Sequence, residues 1–353
     1  MISRIIPVNE ERYKIVFSDP FKSPVYIENE EQLKELTESL IKDGQRDTAK
    51  TLVNQWINLN KTHFKINYKG KFLNLGNKTA VMGILNLTPD SFSDGGIYYK
   101  NLERAVERVS QMLDEGADII DIGGESTRPG AEPVPLEEEM ERVIPVIQVI
   151  RKQLGNNFLI SIDTYKAKVA EEALKEGADI VNDISGMSFD INMANVIAKY
   201  DCPVIVNHTK GRPENMQKDV YYDDVIAEIY QFLDQQIKFG IKKGVRKDRF
   251  IIDPGIGFGK KVEHNVEIIK RLQELKILGF PILVGISRKS FIGIILKNLL
   301  GKGEYLPKDR LYGGLGATAV AVLNGAHIIR THDVKETVEF LTLLDTIRGY
   351  KVV

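Results

Sequence analysis

The apolar positions of this chain change period as it proceeds. Over residues 29–42 and 48–59 they return every three or four positions, with Leu33, Leu36, Leu40 and Ile41 on one stripe, which predicts two amphipathic helices. Over 63–75 they alternate about Lys69-Gly70, with Phe64, Ile66 and Tyr68 in one arm and Phe72, Leu73 and Leu75 in the other, which predicts a hairpin. A further strand fits 12–17. From Thr79 onward, short apolar runs rich in β-branched residues alternate with helical patterns. The strand-like runs lie at 81–86, 118–122, 159–163, 179–182, 203–207, 250–253, 282–285 and 327–331. The helical patterns lie at 102–115, 136–154, 167–176, 192–199, 220–243, 262–275, 289–299, 311–323 and 334–347.

A strand that is apolar throughout is buried on both faces, and strands separated by helices pair in parallel. Eight such units over about 275 residues fit a closed α/β (β/α)8 TIM barrel better than an open doubly wound sheet. A small α+β N-terminal extension precedes it, so the expected division is 1–77 for the extension and 78–353 for the barrel. No G-x-G-x-x-G follows the first barrel strand, which removes the main reason to prefer a dinucleotide fold. The phrase Glu-Gly-Ala-Asp occurs at 115–118 and again at 176–179, a helix-to-strand turn with glycine as the C-cap.

Length and charge narrow the picture. The chain has 353 residues, enough for one barrel and one extra module. Forty-eight basic residues against forty-nine acidic ones leave a net charge of −1. That argues against a nucleic-acid or membrane surface as the main partner, while leaving room for a local basic pocket. The one cysteine, Cys202, excludes an internal disulfide and reads as a small buried hydrophobe at the head of an apolar run. No apolar stretch reaches the length of about 20 residues that a membrane span needs, and the N-terminus has no signal-peptide core, so a cytoplasmic location is expected. His63 reads as a packing or solvated residue. The extension carries no chemical motif.

Candidate chemistry gathers where the strands end. They end in turn at Asn86; Gly123-Gly-Glu-Ser-Thr127-Arg128-Pro129-Gly130; Asp163-Thr164; Asn182-Asp183; Asn207-His208; Asp253-Pro-Gly-Ile-Gly-Phe258-Gly-Lys260; Ser287-Arg288-Lys289-Ser290; and Arg330-Thr331-His332-Asp333. One polar strand end is an ordinary helix cap or turn. Eight in succession, at the face where such barrels carry their sites, ask for another reason. Arg330 and His332 are two apart and share one side of a strand. Arg288 and Lys289 open a helix, whose free N–H groups attract anions. Together they read as a phosphate pocket, with surface ion pairs as the alternative. Asp163, Asn182 and Asp253, with Lys289 opposite, suit a flat heterocycle presenting several N–H donors, because each carboxylate can accept two parallel hydrogen bonds. A metal cage is the rival use of these carboxylates, but there is no H-E-x-x-H, cysteine pair or histidine cluster. Asn86 is a hard-oxygen ligand able to help hold one Mg2+ on a substrate pyrophosphate.

These segments together, with Asn86-Leu-Thr-Pro-Asp-Ser-Phe-Ser-Asp-Gly-Gly96 the most specific of them, resemble the dihydropteroate synthase family of folate biosynthesis, over about residues 65–350. The resemblance implies condensation of 6-hydroxymethyl-7,8-dihydropterin pyrophosphate with p-aminobenzoate, by a dissociative, SN1-like displacement. It assigns the pterin to Asp163, Asn182, Asp253 and Lys289, and Mg2+ to Asn86. Arg330 and His332 take the pyrophosphate, with Thr127 and Arg128 on a mobile loop. Phe92, Pro129 and Phe258 form the p-aminobenzoate slot, with Ser290 receiving its carboxylate. It also implies a homodimer. After the fifth strand the family usually carries Met-His-Met; here the sequence is Asn207-His208-Thr209, and polar residues replace methionines near the pterin. The extension has no counterpart in the minimal family pattern. Two rivals are a methyltetrahydrofolate–corrinoid methyltransferase, which binds no pyrophosphate and has no use for the Thr127-Arg128-Pro129 loop, and a pterin-binding paralogue without activity, against which both loop motifs speak.

Overall fold

The computed structural model describes residues 3–9, 11–19, 21–88, 101–128, 130–218, 220–301 and 303–349. The extension opens with an antiparallel sheet of β1 (Arg4–Pro7), β2 (Tyr13–Val16) and β3 (Val25–Ile27). Only the middle strand was predicted, because runs of three or four residues are too short to declare a period. Two helices follow, α1 (Glu30–Lys42) and α2 (Arg46–Leu59). Asn29 caps α1 by accepting the Gln32 N–H at 3.0 Å. Ile5, Ile15, Ile27, Leu33, Leu40 and Leu52 are buried in the extension. Gln55 ties its parts together, accepting the Ile5 N–H at 2.9 Å and donating to the Ser3 carbonyl at 3.0 Å. Asn58 reaches the barrel by donating to the Ile277 carbonyl at 2.8 Å.

The predicted hairpin is present as β4 (Phe64–Tyr68) and β5 (Lys71–Leu75). Its Ile66, Leu73 and Leu75 pack against Met82, Ile119, Leu159, Ile205 and Leu283 of the barrel strands. The hairpin therefore floors the barrel, although the division at 77 groups it with the extension.

The barrel strands are β6 (Ala80–Asn86), β7 (Ile119–Gly123), β8 (Leu159–Asp163), β9 (Ile180–Asp183), β10 (Val204–Asn207), β11 (Phe250–Asp253), β12 (Leu283–Gly285) and β13 (Ile328–Thr331). They pair in parallel in the order β11-β10-β9-β8-β7-β6-β13-β12, and a bridge between Ile252 and Ile282 closes the ring. Around them run α3 (Leu102–Asp114), α4 (Leu136–Leu154), α5 (Ala167–Glu176), α6 (Met193–Tyr200), α7 (Val225–Lys242), α8 (Val262–Lys270), α9 (Ser290–Leu300), α10 (Leu311–Leu323) and α11 (Val334–Ile347). Two helices are shorter than their patterns. The one expected at 220–243 starts at Val225, because Asp224 accepts the N–H groups of Ile226 and Ala227 and ends the preceding loop. The one expected at 262–275 stops at Lys270 and tightens into a 3-10 helix at Leu272–Leu278.

Side-chain parity positions the site. Ile119, Leu159, Ile180, Ile205, Ile251, Leu283 and Ile328 share one buried cluster at the floor. Period two then sends Asp121, Ser161 and Asp163, Asn182, Asn207, Asp253, Gly285 and Arg330 to the same interior side nearer the mouth. The register agrees, pairing Asp163 with Asn182, Asn207 with Asp253 and Gly285 with Arg330. The barrel is apolar below and polar above.

Candidate active site

Arg330 stands at the centre of the polar layer. Its Nε donates to Asp121 Oδ2 at 2.6 Å and its Nη2 to Asp163 Oδ2 at 2.7 Å. Asn182 Nδ2 donates to the same Asp121 oxygen at 3.1 Å. Asp121 Oδ1 and Asp163 Oδ1 are buried without a partner. Burial pushes the Asp163 carboxyl up to about 7, with Arg330 pulling it down and Asp121 pushing it further up. Burial likewise raises Asp253 to about 6, against the Gly255 N–H, which donates to Asp253 Oδ1 at 2.7 Å. Lys289 is pulled down to about 8 by desolvation and then by Arg330, while Asp253 and Asp163 oppose the shift. Its Nζ lies 4.2 Å from the Phe258 ring centroid. The expected group of Asp163, Asn182, Asp253 and Lys289 is thus brought together.

The loop after β11 is pressed against the loop after β10. Gly255 has φ +71°, and a Cβ there would fall 1.8 Å from the His208 carbonyl oxygen, so only glycine fits. Lys260 is buried between the two loops. Its Nζ lies 2.9 Å from His208 Nδ1 and donates to the carbonyls of Phe258 at 3.0 Å and His208 at 3.3 Å. Burial pushes both the lysine and the imidazole well below their usual ranges.

On the anion side, His332, Arg288 and Arg330 each have a neighbour within the protein. His332 lies beside Ser287, with Nδ1 and Oγ 3.1 Å apart, and desolvation followed by Arg288 holds its imidazole well below the usual range. Arg288, expected in the phosphate pocket, pairs with Asp333, its Nε donating to Oδ2 at 3.2 Å. Its backbone is left-handed, φ +59°, and Arg310 donates to its carbonyl at 2.8 Å. Arg330 shares its strand side with His332, but its guanidinium is drawn to the two buried carboxylates, the strongest acceptors in reach.

Thr127 and Arg128 lie half-buried on the connection after β7, where the Ala131 N–H donates to the Arg128 carbonyl at 3.0 Å. Asn86 is half-buried at the tip of β6, Phe258 is half-buried, and Ser290 opens α9 exposed. Phe92 and Pro129 lie outside the described residues.

Sequence reasoning passed over Asp121, which sits inside an apolar run. The available signal was parity, since it lies two residues before Gly123 and shares register with Ser161. Asp183 goes the other way. It ends β9 as a carboxylate but turns out of the interior, accepting from Ser185 N at 2.8 Å, Ser185 Oγ at 2.7 Å and Met187 N at 2.9 Å. Asn207 carries a buried Oδ1 with no partner. Among the described residues, no group of three or more histidine, cysteine, aspartate and glutamate side chains is arranged to hold a metal.

Comparison with known proteins finds relatives over most of the barrel. The family profile described as pterin binding enzyme matches residues 82–332. The dihydropteroate synthase of Synechocystis sp. is 47% identical over 272 residues, covering 77% of this chain and 91% of that protein. That of Escherichia coli is 46% identical over 265 residues, covering 75% and 90%. Among solved structures, the Yersinia pestis dihydropteroate synthase with a sulfonamide drug complex superposes with a TM-score of 0.76 at 40% identity, covering 81% of this chain and 100% of that one. The Xanthomonas albilineans enzyme in complex with 7,8-dihydropteroate gives 0.69 at 37% identity, covering 81% and 99%.

Proposed function

The chain belongs to the pterin-binding enzyme family, and from that premise we infer that it is a transferase of folate biosynthesis with dihydropteroate synthase activity. It condenses 6-hydroxymethyl-7,8-dihydropterin pyrophosphate with p-aminobenzoate, giving 7,8-dihydropteroate and pyrophosphate. The observation that carries this reading is the interior row itself. Asp163, Asn182 and Asp253 stand on adjacent or neighbouring strand tips with Lys289 opposite, and Asp163 keeps one buried oxygen without a partner.

We assign the pterin to that row, with the carboxylates accepting its N–H groups and Lys289 donating to its carbonyl edge. Arg330 and His332 take the pyrophosphate, together with Thr127 and Arg128. For Arg330 this requires the guanidinium to exchange part of its carboxylate pairing for the diphosphate. Phe258, with Phe92 and Pro129, flanks the p-aminobenzoate ring, and Ser290 at the start of α9 receives its carboxylate.

Asn86 offers one neutral amide oxygen, and among the described residues no group of histidine, cysteine, aspartate and glutamate side chains is arranged as a metal cage, which fits a magnesium ion that arrives on a diphosphate. Mg2+, when bound, would neutralise charge on that diphosphate, and Asn86 would supply one oxygen to it. The protein's own residues carry the remaining work. Asp163 and Asp253 accept from the pterin and favour electron release toward its methylene carbon. The C–O bond breaks, the electron pair leaves with pyrophosphate, and Arg330 stabilises the developing charge. The aryl amine then forms the C–N bond and gives up its proton. No enzyme nucleophile is needed.

We further propose a homodimer built on the barrel face of α9, α10 and α11. Tyr312 is 85% exposed, Leu299 79% and Ile347 74%, and α10 is apolar on every side. Sedimentation should give twice the monomer mass. We also place the enzyme in the cytoplasm, where the buried, unpaired Cys202 needs no oxidant; no helix among the described residues is long and apolar enough to cross a membrane.

Incubation with pterin pyrophosphate, p-aminobenzoate and Mg2+, with product identified by mass, tests the activity. Dihydropteroate with equimolar pyrophosphate is expected, and absence of both overturns the reading.

A further inference from the structure

A buried polar cluster beneath the connection after β7 takes no part in the chemistry above. Glu125 lies two residues beyond the end of β7, and its side chain is 5% exposed. Lys166 Nζ donates to Glu125 Oε2 and to Glu139 Oε2, and Tyr165 donates its hydroxyl to Glu125 Oε1 at 2.7 Å. Glu139, in the first turn of α4, is almost wholly buried, and that burial raises its carboxyl above the usual range, with Lys166 opposing. Arg142, less than a turn further along α4, donates to the Gly124 carbonyl at 2.7 Å. The connection after β7, the start of α4 and the segment between β8 and α5 thus meet on one ammonium, that of Lys166.

The cluster is joined along the chain to both groups of site residues. Tyr165 and Lys166 follow Asp163 by two and three residues, so the group that anchors Glu125 is continuous with the group that faces the heterocycle. The far end of the same connection is also tied, because the Gly130 N–H donates to the Pro213 carbonyl at 2.9 Å. Arg212, beside Pro213, lies over the Phe189 ring at 4.4 Å, and Phe189 meets Tyr165 edge-on at 5.5 Å. Thr127 and Arg128 lie between these two moorings.

We propose that Glu125 is a positioning residue that fixes 124–128, so that Thr127 and Arg128 meet the diphosphate of a pterin already seated at Asp163. This rests on the functional reading above. Counting charge shows which variant spares the fold. Lys166 serves two carboxylates, so Glu125→Gln leaves a neutral Lys166–Glu139 pair, whereas Lys166→Met would strand two buried carboxylates.

The test compares full-length Glu125→Gln and Glu125→Ala with the wild type. It measures kcat and KM for pterin pyrophosphate, and by calorimetry the affinity for 6-hydroxymethylpterin, which lacks the diphosphate. A loss of about tenfold to a hundredfold in kcat/KM is expected, with pterin affinity within about twofold of wild type, and with glutamine, which keeps an acceptor oxygen, losing less than alanine. Unchanged kcat/KM in both variants, or equal losses for the two ligands, overturns the proposal. Should Glu125→Ala not fold, Glu125→Gln gives the same two readings. A wild type that makes no dihydropteroate strikes the functional reading; an active wild type beside unaffected variants strikes only this one.

Discussion

Arg330 and Asp163 meet across the barrel mouth, Nη2 to Oδ2 at 2.7 Å, and the same guanidinium holds Asp121. One cation therefore faces two buried carboxylates at once. Arg330→Met removes that cation. Turnover should fall on the order of a hundredfold or more. The Asp163 carboxyl, already at about 7, should rise further, so the residual activity should need a higher pH. An acid limb of kcat/KM that stays where the wild type has it would contradict this.

The wild type should show a bell-shaped kcat/KM profile. The carboxyls of Asp163 at about 7 and Asp253 at about 6 set the acid side, and Lys289 at about 8 sets the alkaline side. The stability consequence has a definite sign. Asp163 has a folded-state pKa above its ordinary 3.8, so between pH 3.8 and about 7 the folded chain binds more protons than the unfolded one. Stability from this group is greatest below that window and declines as pH rises through it. Lys289 is depressed from 10.5 to about 8, so its penalty is full below pH 8 and fades toward 10.5. Thermal melts of wild type and Asp163→Asn across pH 4–8 check the first sign, because the variant should lose part of the downward slope.

Lys260→Met should loosen the two loops that Lys260 joins. It leaves the carbonyls of Phe258 and His208 without their buried donor and removes the neighbour of His208 Nδ1. Each stranded acceptor costs about 1–3 kcal/mol, and the shifted Phe258 should raise the KM for p-aminobenzoate. Chemical denaturation and steady-state kinetics read both effects. A variant as stable as the wild type would show that these contacts carry no weight.

Gln55→Leu should free the extension's first strand and leave the barrel alone. The Ile5 N–H and the Ser3 carbonyl lose their shared partner, at a cost of about 1–3 kcal/mol. Amide exchange at Ile5 should quicken while exchange in β6 and β8 stays slow. Equal acceleration in all three would mean that extension and barrel open as one unit.

Among the site residues, those visible in the sequence were the ones whose local setting was abrupt. Asp163, Asn182 and Asp253 each interrupt an apolar run at its end. Asp121 interrupts a run in the middle, and nothing local says whether such a residue faces the interior or a helix. Asp163 and Asp183 look alike as text, but strand parity sends the first into the mouth and the second into a turn. Arg330 was legible as an interior cation, but its choice of partner was not, because the strands carrying its acceptors are far away in sequence.

The amino-acid order alone determined the alternation of strands and helices, the parallel barrel, the hairpin at 63–75 and the chemistry available at each strand tip, because all of these depend on residues within a few positions of one another. Closure and stagger were decided only in three dimensions. They put Arg330 on Asp121, 209 residues away, and they ran the hairpin under the barrel as its floor. They also fixed which short runs joined the extension's sheet, since a strand of three or four residues takes its identity from the strand beside it.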